Sequence, residues 1–236
     1  MVVEEAQERL VSALDEALHK FYDSLWLDPL IVKSDLEKRG IFFRSWDALF
    51  SVSLPLLDAQ AKSYLDHEKA LNALRGVGLG TGGAILMLPD LEELVRSAIL
   101  LIQKISLTYG FDPSSETGRK EIWRVFALTL TGEDLLGEDP LTVSARLFEK
   151  SREKISENMG LTPLLRFIAK KIVWRFVKRR VIQVVPLFGS AVAGFANYRF
   201  IEEIGTKAQS YYRSKHLACR EAAAREAEAR RPEGKG

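Results

Sequence analysis

Residues 90–109 read DLEELVRSAILLIQKISLTY, and their spacing decides the fold class. On a helical wheel Leu91, Leu94, Val95, Ala98, Ile99, Leu101, Ile102 and Ile105 share one broad arc, with Glu92, Arg96, Gln103 and Lys104 opposite. Apolar residues three and four apart stack along one face of an α-helix, whereas a half-buried strand alternates at every second residue. Asp90 is placed to cap this helix, and Glu92 and Glu93 fall in the first turn, where the helix dipole favours negative charge. Capping accounts for these acids without any catalytic role.

Working outward, four capping residues stand directly before a proline: Asp28-Pro29, Asp112-Pro113, Asp139-Pro140 and Thr162-Pro163. Each pairs a side-chain oxygen that accepts an orphan N–H with a residue suited to the first helical position, so each predicts a helix start. Alternating β-branched runs of strand length are nearly absent. The chain is therefore predicted to be all-α, a compact multi-helix bundle with two glycine-rich apolar helical segments. A hydrophobic share of 47% over 236 residues supports a real core and excludes wholesale disorder. The single Cys219 excludes a disulfide scaffold, and His19, His67 and His216 are too scattered to form a zinc motif, so no metal or cofactor is expected. Acids in MVVEEAQERL occupy the place of a signal peptide's basic region, which points to a cytoplasmic location.

The formal charge of +2 conceals a division. Residues 1–160 carry 18 basic and 26 acidic side chains, and residues 161–236 carry 16 basic and 6 acidic. A basic half suggests an anionic membrane surface, nucleic acid or an acidic partner; the alternative is a helical protein whose solvated faces differ in sign. Nucleic acid is set aside because no recognised binding module accompanies the patch.

Two stretches lack charge. GVGLGTGGAILMLP, residues 76–89, contains five glycines, of which Gly78, Gly80 and Gly83 formally satisfy G-x-G-x-x-G. That fingerprint requires a preceding strand, and here the preceding LDHEKALNALR reads as a helix. The glycines fit either a close helix crossing or a wedge that enters lipid. VIQVVPLFGSAVAGFANY, residues 181–198, is interrupted by Pro186, Gly189 and Gly194, so it suits a buried or broken helix better than a membrane span.

Leading into it, residues 163–181 read PLLRFIAKKIVWRFVKRRV, with seven basic residues and no acid. Leu165, Ile168, Ala169, Ile172 and Phe176 share one arc, and Phe167, Trp174, Val177 and Val181 lie nearly opposite. Lys171, Arg175 and Lys178 form a stripe along one seam, with Arg166 and Arg180 on the other. Such a helix has to bury both faces, one in the core and one either in lipid, with its bases reaching the headgroups, or under further helices. Lys171, Trp174, Arg175 and Lys178 are the candidate lipid-binding residues. No catalytic motif is legible, and a hydrolase would require the scattered acids to converge in space.

Two blocks carry a family resemblance. HEKALNALRGVGLGTGGAILMLPDLEELVRSAILLIQKISLTYGFD, residues 67–112, and IQVVPLFGSAVAGFANYRFIEEIGTKAQSYYRSKHL, residues 182–217, resemble the EcsC family. The matching positions are Gly80, Thr81, Gly82, Gly83, Asp90, Tyr109, Gly110, Pro186, Gly189 and Asn197, for which structural or membrane-related roles are expected. The resemblance implies a helical, membrane-associated accessory family, named for a protein encoded beside an ABC transporter linked to secretion. It divides the chain into an N-terminal helical extension (1–60), an EcsC-like domain (61–217) and a frayed or disordered tail (218–236). The expected function is a non-enzymatic accessory role at the inner face of the membrane, contacting anionic lipid or a membrane transporter. A soluble scaffold for a protein partner and a cryptic hydrolase are the alternatives.

Overall fold

The computed structural model describes residues 2–77, 88–131, 159–181 and 189–229. These residues form α1 (Val2–Ser24), α2 (Pro29–Glu37), a 3-10 turn (Trp46–Ser51), α3 (Leu54–Val77), α4 (Leu88–Thr108), α5 (Glu116–Thr129), α6 (Leu161–Val181) and α7 (Gly189–Ala229). No strand occurs among the described residues, and the all-α prediction holds.

The centre of the bundle is α4, which touches α1, α2, α3, α5 and α7. All eight apolar residues assigned to its buried arc are buried. Removing a Leu or Ile side chain of this kind from water stabilises the fold by about 1.5–3 kcal/mol. On α1 the buried residues Leu10, Val11, Leu14, Leu18 and Phe21 fall at helical spacing, and they enter the same core as Leu164, Leu165, Ile168 and Ile172 of α6. Residues 1–60, read from the sequence as an extension, thus share one apolar core with the rest.

The longest helix, α7, runs antiparallel to α3, as Asp58–Arg213 at one end and Lys69–Glu202 at 3.7 Å further along establish. They pack closely at Gly205. A Cβ there would come within 2.5 Å of Leu65 Cδ1 and 2.9 Å of Leu101 Cδ2, so α3, α4 and α7 meet at a position without a side chain.

Several local expectations change. Asp28 does cap α2, its side chain accepting the Leu30 N–H at 2.9 Å. Asp112 instead accepts the N–H of Ser114 at 2.9 Å in a turn, and α5 begins later, capped by Ser115 Oγ, which accepts the Gly118 N–H at 3.0 Å. Asp90 lies inside the first turn of α4, not at its cap, because the helix already starts at Leu88. Thr162 lies within α6, whose first turn is closed by the Leu164 N–H donating to Gly160 O at 3.2 Å. Gln103, assigned to the solvated face, is buried: its Oε1 accepts the Leu27 N–H at 2.9 Å and its Nε2 donates to Leu25 O at 3.2 Å, satisfying the α1–α2 connection. Lys104 is likewise held, at 2.9 Å from Glu68 of α3.

At the C-terminus α7 stays helical as far as Ala229, with residues 221–226 exposed. Ala, Glu and Arg are strong helix formers, which opposes the fraying expected for a segment with no apolar face. Asp139-Pro140 lies outside the described residues.

Candidate functional site

The two faces of α6 part company. Leu165, Ile168, Ala169 and Ile172 are buried in the core, with Phe176 packed against it and its ring centroid 5.4 Å from that of Phe200 on α7. On the outside Trp174 is 61% exposed, Lys170 and Lys171 are exposed, and Lys171 Nζ lies 5.5 Å from the centre of the half-buried Phe167 ring. Phe167 and Trp174 therefore form a second, partly uncovered apolar face with bases beside it.

The basic stripe does not act as one. Arg175 turns inward, its guanidinium hydrogen-bonded to the Glu203 carboxylate of α7 and its charge 5.4 Å from the centre of the Phe200 ring. Lys207, only 3% exposed, holds the other oxygen of the same carboxylate and donates to Thr129 O at 3.1 Å. Burial alone would raise the Glu203 pKa. The Arg175 hydrogen bond and the two positive charges outweigh it and hold the carboxyl below its usual range. Arg175 thus ties α6 to α7, while Trp174 and Lys171 face outward. Lys178 lies in the last turn of α6.

Other bases of the second half are consumed in the same way. Arg166 meets Glu8 at 2.8 Å and Asp15 at 3.6 Å on α1, Arg213 meets Asp58 at 3.1 Å, and Lys215 meets Glu121 at 2.5 Å. Three bases of the second half thus pair with acids of the first.

At the α3–α7 seam, Tyr109 donates its hydroxyl to Asp58 Oδ1 at 2.6 Å, and Gln209 Nε2 donates to the Tyr109 oxygen at 3.2 Å. Burial, followed by the Asp58 carboxylate, pushes the Tyr109 pKa upward, so it stays a neutral donor. His216 is buried and its Nδ1 bonds Tyr109 O at 3.0 Å, which makes Nδ1 the protonated nitrogen and Nε2 a buried acceptor without a partner in the structure. Its ring stands 5.3 Å from Phe50 and 6.0 Å from Tyr109. Gly110 follows at φ +92°, and a Cβ there would lie 2.9 Å from Trp46 O. These contacts explain why Tyr109 and Gly110 are needed where they stand: one clamps α3 to α4, the other ends α4 against the 3-10 turn.

Of the remaining positions singled out in the sequence, Gly189 opens α7, Asn197 is half-buried on it, and Asp90 is half-buried on α4. Gly80, Thr81, Gly82, Gly83 and Pro186 lie outside the described residues. Sequence reading missed Asp58, Glu203, Lys207, Gln209, Arg213 and His216. A signal existed for two of them, since Glu202 and Glu203 interrupt a basic segment and Lys207 follows Glu203 by one helical turn. Among the described residues no group of three or more His, Cys, Asp or Glu is placed to hold a metal ion, and no helix is long and apolar enough to cross a membrane.

Comparison with known proteins yields three findings. The model of the EcsC protein family matches residues 1–217. Protein EcsC of Bacillus subtilis (strain 168) is 25% identical over 171 residues, covering 69% of this chain and 64% of that protein. An uncharacterised protein of the same organism, YdbA, is 20% identical over 178 residues, covering 74% of this chain and 63% of its own length. The chain thus spans just under two thirds of the length of these relatives. No solved structure matches it.

Proposed function

Because this chain belongs to the EcsC protein family, we propose that it is a non-enzymatic helical accessory protein at the inner face of a membrane, serving a membrane transporter and contacting anionic lipid through the outer face of α6. The observation that carries this reading is the two-sided helix. One side of α6 is buried in the core, and the other presents Trp174 at 61% exposure beside Lys170 and Lys171, with no acid from Pro163 to Val181. Tryptophan suits the headgroup region because its ring is apolar and its N–H polar, and each nearby Lys or Arg adds about 1 kcal/mol of attraction to an anionic surface. Lys178 belongs to the same contact. Arg175 contributes from within, by fixing the helix to α7 through Glu203.

Flotation with anionic and with neutral vesicles tests the reading. The protein is expected to float with the anionic vesicles alone, and Trp174→Ala combined with Lys171→Glu is expected to weaken partition at least tenfold. Equal recovery in the soluble fraction with both vesicle types overturns it. Arg175 is left intact in this experiment because reversing its charge would attack the ion pair that holds α6.

A further inference from the structure

His19 keeps 39% of its side chain exposed and His67 is exposed, whereas His216 is fully buried. Its imidazole, on α7, sits among three other segments: Tyr109 after the end of α4, Asp58 near the start of α3, and Phe50 of the 3-10 turn, whose ring centroid is 5.3 Å away. The neutral ring fits this place, since Nδ1 donates to Tyr109 O at 3.0 Å and Nε2 needs no proton. A second proton would go to Nε2, which is buried and has no hydrogen-bond partner among the described residues. That turns an idle acceptor into a buried donor and adds a charge, and burial opposes both changes.

The surrounding groups do not compensate. Arg213 and Arg220 of α7 repel an imidazolium here, and Asp58 of α3 attracts it. Asp58, however, is already engaged: Oδ1 accepts the Tyr109 hydroxyl at 2.6 Å, and Arg213 Nε lies 3.2 and 3.1 Å from the two carboxylate oxygens. Burial keeps Tyr109 and Tyr212 neutral. Asp47, the acid of the 3-10 turn, is exposed, and Lys215, whose Nζ stands 4.4 Å from the centre of the Phe111 ring, is held by Glu121 at 2.5 Å. The balance leaves the His216 pKa below 6.5, with burial as the first cause.

Of the segments around the imidazole, the 3-10 turn is the one without a polar tie to the others among the described residues. Asp58–Arg213, Tyr109–Asp58 and Lys104–Glu68 bind α3, α4 and α7 to one another. The backbone bonds of the turn close on its own segment instead, Ala48 N donating to Ser45 O at 3.1 Å and Val52 N to Leu49 O at 2.9 Å. What fixes it to the bundle is apolar packing: the buried Leu49, and the Phe50 ring against His216 and Phe111, at 5.3 and 5.4 Å between centroids. A charge arriving at His216 is therefore relieved at least cost by moving this turn, because no hydrogen bond or ion pair has to break between it and the helices.

We propose that His216 is a proton-operated latch: neutral, it holds Phe50 and the 3-10 turn closed against α7, and protonated on Nε2 it releases the turn while the helices stay paired. The proton comes from water and is taken up only as water reaches Nε2, so opening and protonation are one event. Release uncovers Phe50, Leu49 and the corner at Gly110, where the turn packs Trp46 O within 2.9 Å of the position a Cβ would take. The latch does not depend on the lipid contact proposed above.

Amide hydrogen exchange of the full chain, corrected for the intrinsic pH dependence of exchange, tests this between pH 6.5 and 4.5, above the range in which Glu203 takes up its proton. One proton bound on opening makes the opening constant rise up to tenfold for each unit that pH falls below 6.5, until the folded pKa is reached. Amides of residues 48–52 are expected to follow this slope while those of α3, α4 and α7 keep their protection. His216→Gln should flatten the slope, and the double variant His19→Gln with His67→Gln should keep it. A pH-independent opening of the turn overturns the latch, as does a slope that survives His216→Gln or vanishes in the double variant. Loss of helix protection in step with the turn overturns it too, because the proton then unfolds the bundle and not the turn. Should His216→Gln fail to fold, the double variant decides: His216 is its only histidine, and its pKa read by NMR must mark the pH at which the exchange slope levels off, a mismatch overturning the assignment.

Discussion

The guanidinium of Arg175 on α6 binds the carboxylate of Glu203 on α7 in a setting where Lys207 takes the second carboxylate oxygen and burial leaves little water to replace either partner. Two cations thus depend on one anion. Removing the anion leaves both charges uncompensated, a loss of about 3–5 kcal/mol for a buried pair.

Glu203→Gln is accordingly expected to lower the unfolding free energy by about 3–5 kcal/mol in a urea titration, and Arg175→Met by less because Lys207 still holds the carboxylate. The same carboxyl gives a pH signature. Its folded pKa lies below the ordinary value of 4.5, so its contribution is complete above that value and fades as pH falls through the folded pKa. The stability of Glu203→Gln should therefore be flatter than that of the parent chain on the acid side of pH 4.5.

Tyr109→Phe deletes the hydroxyl that donates to Asp58 and receives from Gln209 while keeping the ring. A hydrogen bond to a charged group contributes about 1.5–3 kcal/mol, and Asp58 retains Arg213, so a loss near the lower bound, about 1.5 kcal/mol, is expected by chemical denaturation.

Gly40 and Gly110 both sit at positive φ, +80° and +92°, but only Gly110 has backbone against it. Gly40→Ala should cost about 1 kcal/mol for the left-handed backbone alone. Gly110→Ala adds the approach to Trp46 O and should cost at least about 2 kcal/mol. Thermal melts of the two variants side by side check the difference, and equal shifts would show that the 3-10 turn yields freely.

His216 supplies a second pH response. Burial is the main cause that pushes its pKa below 6.5, and the neighbouring Arg220 and Arg213 act in the same direction against the Tyr109 carbonyl and Asp58. The unfolded chain then binds the proton more readily than the folded one, so stability is full above pH 6.5 and declines as pH falls towards the folded pKa. His216→Gln is expected to remove this part of the decline below pH 6.5, measured by unfolding midpoints.

What was legible in the sequence was whatever repeats locally. The apolar arc of α4 and the inner arc of α6 follow from spacing alone, as does the cap at Asp28, because each depends on neighbours within one or two turns. Gln103 and Lys104 read as solvated and Arg175 as a lipid contact because a wheel records polarity but not partners. Their partners, Leu25, Glu68 and Glu203, come from other helices, and a polar group with a remote partner is buried as readily as an apolar one. Asp112-Pro113 failed for a different reason: the dipeptide serves a turn as well as a cap, and Ser115 three residues on makes the better start. In the candidate lipid face, Trp174 and Lys171 follow from periodicity, whereas the inward turn of Arg175 depends on Glu203, which α7 brings from elsewhere in the chain.

The pairing of α3 with α7 also sets an order of events during synthesis. Asp58 and Arg213 are 155 positions apart, and at ribosomal rates of about 5–20 residues per second α3 waits on the order of ten seconds or more before its partner exists. Until then the Leu65 and Leu101 side chains that will close around Gly205 have nothing to close on. The nascent chain must therefore carry its widest apolar seam uncovered through most of translation, and a chain released before α7 is made leaves the ribosome as a client for chaperones.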